Sequence, residues 1–126
     1  MIRKILGAGV AAVLALSVAG AVPAVANDGD VIREGMCSGR SDWKLKLSPE
    51  NGRIEVEYEV DSNRVGQTWQ VRIVKNGSVI FQGTRQTKAP SGAFELRLVT
   101  SNTPGDDVVR ARATHAGEVC GGSATF

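Results

Sequence analysis

The groups in this chain able to do chemistry are few: one histidine, two cysteines, a run of alternating glutamates and some acidic turn residues. His115 precedes an Ala-Gly pair, with Glu118 and Ser123 within reach of a hairpin. A catalytic imidazole needs a nucleophile held against it and a carboxylate to orient it. No motif strains a nucleophile into that position, so His115 is expected to be an exposed turn residue and no catalytic residue is assigned. Asp61, Asn63, Asp106 and Asp107 could donate oxygens to calcium. A calcium site needs six or more converging oxygens, and no D-x-[DN]-x-[DN]-G loop supplies them. Turns favour Asp and Asn for backbone reasons alone, so no metal and no cofactor is expected. Glu55, Glu57 and Glu59 alternate on one strand, with Lys44 and Lys46 on the strand before. A glycosidase keeps one carboxyl dry enough to raise its pKa, whereas these share a solvated face with lysines. The residues point away from an enzyme.

Compartment follows from the N-terminus. Met1-Ile2-Arg3-Lys4 leads into an apolar run from Ile5 to about Val22, then Pro23-Ala24-Val25-Ala26 and polar Asn27-Asp28. A charged start, an apolar stretch and an A-x-A site make residues 1–26 a signal peptide, with cleavage after Ala26. No second apolar segment follows, so the exported chain is expected to leave the membrane and be secreted. Fifteen Lys and Arg against thirteen Asp and Glu give a formal charge of +2. Arg3 and Lys4 are lost with the signal peptide and no acidic residue is, which leaves thirteen of each and a neutral mature chain. Such a chain is not expected to bind nucleic acid or an anionic membrane. Cys37 and Cys120 are the only cysteines. In an exported chain an even count usually means a disulfide, and two cysteines allow one intramolecular pairing; a thiol pair or an intermolecular bridge is the alternative. Two isolated cysteines with no nearby histidine do not make a metal site.

The mature chain is one domain of about 100 residues, a size that supports a modest core. Residues 27–40 are polar and Gly-rich and read as a loose lead-in fastened at Cys37. From 41 to 126 the pattern is apolar-polar alternation, the period that puts every second side chain on a buried face. Seven strands are expected, over 41–47, 53–60, 67–75, 78–84, 93–100, 108–115 and 118–126. Asn51-Gly52 and Asn76-Gly77 supply hairpin turns tolerant of positive φ. Gly121-Gly122 suggests a bulge or bend in the last strand. Strands one and two should pair antiparallel with the lysines opposite the glutamates. Trp43 and Trp69 are in phase with the aliphatic residues of their strands and read as core. Seven short strands with turns at about 8–12-residue spacing describe a two-sheet antiparallel sandwich, with a barrel as the alternative.

The last strands, DVVRARATHAGEVCG, resemble the final hairpin of fibronectin type III and related immunoglobulin-like domains, although no tyrosine near Val109 supplies that family's tyrosine corner. The resemblance implies an immunoglobulin-like β-sandwich. Across nearly the whole mature chain, C-S-G, W-K-L-K-L, E-V-E-Y-E-V-D-S-N-R, G-Q-x-W and the final G-E-x-C are similar to uncharacterised small secreted proteins of actinobacteria. That likeness implies export but no activity and no site residues.

In immunoglobulin-like topology the sixth strand lies between the third and the seventh. Arg72 should then sit beside Arg110 and Arg112, making a candidate binding face for an acidic extracellular protein or acidic polysaccharide. The plain alternative is a solvated face balanced by Glu118 and Gln70. A candidate recognition loop is Arg85 to Gly92, with Arg85, Lys88 and Pro90 as its prominent residues. A rigid loop of this kind could inhibit an extracellular hydrolase. The expectation is a secreted, monomeric, non-enzymatic binding or cell-surface accessory module, with a hydrolase inhibitor as the alternative.

Overall fold

A computed structural model describes residues 29–126. The signal peptide expected over 1–26 lies outside the described residues. Among the described residues eight strands follow one another: β1 Val31–Met36, β2 Asp42–Glu50, β3 Arg53–Asp61, β4 Thr68–Lys75, β5 Ser78–Gln86, β6 Ala93–Ser101, β7 Val108–His115 and β8 Glu118–Thr125. They form two four-stranded antiparallel sheets, β1-β2-β3-β6 and β5-β4-β7-β8. The expected seven strands are present and an eighth precedes them. The lead-in holds β1, which pairs with β2 from Val31↔Leu47 to Met36↔Asp42. Only Ile32 of β1 is buried, so the strand owes its place to the open edge of β2 more than to its own apolar pattern.

Alternation decides which side chains meet. Leu45, Leu47, Val56, Tyr58 and Leu96 of the first sheet face Trp69, Val71, Ile73, Val109 and Ala113 of the second, all nearly or wholly buried. The Tyr58 hydroxyl donates to the Cys120 carbonyl at 3.0 Å, which gives a buried phenol its partner and ties the sheets together. Phe94 lies edge-on to Tyr58 and tilted against Trp69. The expected lysine–glutamate register is present, with Lys44↔Glu59 and Lys46↔Glu57. Hairpin turns occur at Asn51-Gly52 and Asn76-Gly77, where Asn51 and Asn76 have φ of 50°. The Ala116-Gly117 turn places an alanine at φ 47°, a position with no side-chain polar group to offset the strain.

Gly121 and Gly122 do not make a bulge. Pairing of β7 with β8 runs without a shift through Arg112↔Gly121 and Ala111↔Gly122, and the irregularity of this sheet lies between Ile73 and Val74. The glycine at 122 answers a neighbour on the other sheet. Trp43 is half-buried, and its ring occupies the space between Gly35 and Gly122. The Cys37–Cys120 disulfide closes the same side of the sandwich, joining the β1–β2 connection to β8.

At the end opposite the β7–β8 turn, Asp107 is buried and serves the fold. Its carboxylate accepts from the Thr103 hydroxyl at 2.5 Å, the Thr103 amide at 2.9 Å and the Asn76 side chain at 2.8 Å. The Thr103 hydroxyl, ahead of burial and the remaining donors, holds this carboxyl below the usual range. A depressed folded-state pKa contributes stability that is present above the unfolded value and lost as pH falls through the folded value. Asp107→Ala is therefore expected to lower the urea midpoint more at pH 7 than at pH 2. Equal losses at the two pH values would show that the carboxylate charge is not what Thr103 and Asn76 hold.

Candidate functional site

Sheet pairing brings the three arginines together. Arg72 lies directly across from Arg112, and Arg110 follows two residues away on the same face of β7. All three are exposed, and none has a hydrogen bond or ion pair through its side chain with any described residue. Gln70, Gln82, Thr84, Thr114 and Ser123 share this outer face by register, with Val74, Val79 and Val119 among them. Among the described residues no strand of the sheet points a carboxylate there. Glu118, the expected counter-charge, is in phase with buried Cys120, and its Oε2 accepts from the Ser41 amide at 2.9 Å on the other side of the sheet. A shallow hollow of about 210 Å³ lies over Arg72, Gln82 and Arg112.

The outer face of the other sheet has the opposite sign. Glu55, Glu57, Glu59 and Glu95 lie on adjacent strands with Lys44, Lys46 and Arg97 between them. Buried Glu55 pairs with Arg97, and Lys46 reaches both Asp30 and Glu57. Toward one end the carboxylates outnumber their partners. Burial and then Asp61 and Glu34 push Asp42 above the usual carboxylate range. Burial also raises Glu59, opposed by Lys44 and reinforced by Glu95, Asp61 and Asp42. The charge of the two sheets is thus polarised between their outer faces.

The segment from Arg85 to Gly92 is not one loop. Arg85 belongs to β5, and its guanidinium lies 4.8 Å from the centre of the Phe81 ring. Thr87 is buried; its hydroxyl donates to the Arg64 carbonyl at 2.6 Å and accepts from the Gln67 amide at 2.9 Å. Lys88 to Gly92 is a closed turn, with the Gly92 amide on the Lys88 carbonyl at 2.8 Å and a cis Ala89-Pro90 bond. A side chain at Gly92 would collide with the Arg64 backbone 2.3 Å away, so the turn is seated on the β3–β4 connection. Arg85 and Lys88 line a groove of about 500 Å³ at the β5–β6 side, and Pro90 is not part of its wall.

His115 is half-buried. Its Nδ1 lies 2.7 Å from the Thr68 carbonyl and its ring stacks beside Trp69 at 5.3 Å between centroids. Ser123 is on the arginine side of β8 by register, away from this ring. Two residues to which the sequence drew no attention join His115 here. Arg40 and Arg64 line one cleft with His115 and Glu118, although up to 78 positions separate them in the chain. Their position flanking two inter-strand turns was the only signal they carried. Asp61 accepts from the Asn63 amide within its own turn, at the end of the sandwich away from Asp107. No family model, curated protein or solved structure matches the chain.

Proposed function

We propose that the chain is a secreted, non-enzymatic module of immunoglobulin-like type that binds an acidic polysaccharide through the outer face of β4, β5, β7 and β8. The observation that carries this reading is three unpaired arginines on a sheet face without a carboxylate. Unpaired guanidinium groups are forks suited to carboxylate or sulfate. Around them lie amides and hydroxyls together with Val74, Val79 and Val119, and no aromatic residue of the sheet shares the face; the lack of an aromatic anchor favours a hydroxyl-rich polymer over an acidic protein. Export is supported by the N-terminal pattern and by the disulfide, a bond that persists in oxidising compartments. No helix among the described residues is long and apolar enough to cross a membrane. The strand order supports the immunoglobulin-like assignment: without β1 it reads β2-β3-β6 against β5-β4-β7-β8, the order of a fibronectin type III sandwich. An inhibitor working through residues 85–92 finds less support, because a segment entering a hydrolase cleft offers extended backbone and Lys88–Gly92 is a closed turn.

The test is retention of the chain beginning at Asn27 on immobilised polygalacturonate. Binding is expected at low salt, weakening as ionic strength rises. Arg72→Glu combined with Arg110→Glu and Arg112→Glu should reduce affinity by more than about tenfold. Arg53→Glu, on the other sheet, should leave it unchanged. Undiminished binding by the triple variant would overturn the assignment of the face.

A further inference from the structure

Three connections meet where β7 turns into β8, and a cleft of about 340 Å³ opens between them. Arg40 comes from the β1–β2 connection, Arg64 and Gln67 from β3–β4, and His115 and Glu118 from the β7–β8 hairpin. The volume is at the small end of small-molecule sites, about 300–1,000 Å³.

The groups in its wall are set for an anion that also carries hydroxyls. Arg40 and Arg64 are exposed, and neither guanidinium has a hydrogen bond or ion pair with a described residue. His115 is oriented by its contact with Thr68 and by the Trp69 ring. A carbonyl only accepts, so Nδ1 carries the proton, and in the neutral ring Nε2 is left as an acceptor. Glu118 is fixed by the Ser41 amide through one oxygen, which leaves the other to accept. The side-chain oxygen of Gln67 is buried without a partner. Two guanidinium groups against one carboxylate leave the cleft cationic. The frame around it is braced, since the disulfide and the reciprocal bonds between Ser38 and Val119, both at 2.9 Å, hold the first connection to β8. A preorganised site of this kind loses little ordering entropy on binding.

We infer that this cleft binds a single hydroxylated carboxylate of the size of one uronic acid, with Arg40 and Arg64 taking the carboxylate and His115 and Glu118 accepting from hydroxyls. The choice of a sugar acid rests on the polysaccharide reading above, and the site would hold a chain end or monomer that the flat arginine face cannot enclose.

Titration calorimetry with D-glucuronate and D-galacturonate, and with glucose as the neutral control, tests it on the disulfide-intact chain. Uronate binding with Kd of about 1 mM is expected, with none for glucose. Arg40→Ala and Arg64→Ala should each weaken it about tenfold, and His115→Gln less. Both arginines are exposed, and unchanged melting temperatures would establish that the variants fold. Arg110→Glu with Arg112→Glu, expected to weaken polymer binding, should leave monomer binding intact. No uronate binding up to about 50 mM, or binding indifferent to Arg40 and Arg64, would overturn the inference. Loss of monomer binding in the Arg110 and Arg112 variant would assign the ligand to the sheet face instead. Polymer binding that fails while monomer binding persists would remove the face and keep the cleft.

Discussion

Replacing Cys37 and Cys120 together with serine should lower the melting temperature by about 20 °C or more. The bond closes a loop with a sequence separation of 83 residues. In the chain-entropy model, releasing such a loop gives the unfolded chain freedom equivalent to about 4–5 kcal/mol. A domain of about 100 residues shifts by roughly 4–8 °C per kcal/mol, which sets the expected size. The folded state loses something as well, because Cys120 is buried in the core and Cys37 packs against it. Calorimetry of the double variant, with the reduced wild-type chain measured beside it, checks the prediction. The two should melt together. A double variant as stable as the oxidised protein would mean that strand pairing alone fixes β1 and the termini.

Gly122→Ala should destabilise by about 3 kcal/mol, a fall of roughly 15 °C. A methyl built on that backbone lies 1.9 Å from Cη2 and 2.3 Å from Cζ2 of Trp43, whereas carbon atoms settle at about 3.5–4.0 Å. Neither side yields easily. β8 is held by a continuous ladder to β7 and by the disulfide two residues away, and Gly35 confines the ring from the other side. The ring is therefore expected to leave its place, with loss of its packing against the core. A double-mutant cycle identifies the cause: in a Trp43→Ala background the same glycine substitution should cost less than about 1 kcal/mol. An equal cost in both backgrounds would point to strain within β8 itself.

These two positions mark the limit of what alternation reveals. The strand positions, the two Asn-Gly turns and the pairing of Lys44 with Glu59 and Lys46 with Glu57 follow from rules acting over a few residues, and each is found in the fold. Gly121-Gly122 misled for the same reason. Within one strand a glycine pair reads as a break, but Gly122 is there for a tryptophan 79 positions earlier in the chain. β1 escaped because its sequence, VIREGM, alternates weakly and buries one apolar side chain; a neighbouring edge supplies what the pattern lacks. The juxtaposition of Arg72 with Arg112 was legible once a strand order was assumed. Whether a carboxylate balanced it was not, because Glu118 could face either way until the Ser41 amide claimed it.

By itself the sequence determined an all-β chain with one disulfide, because the period of two is read within each strand and two cysteines allow one intramolecular pairing. Tertiary structure alone decided the pairing of β1 with β2, the role of Gly122 and the meeting of Arg40, Arg64 and His115 at one end. Each of these depends on which distant segments share an edge or a corner. That is settled by the closing of two sheets over a common core, and no window of neighbouring residues contains it.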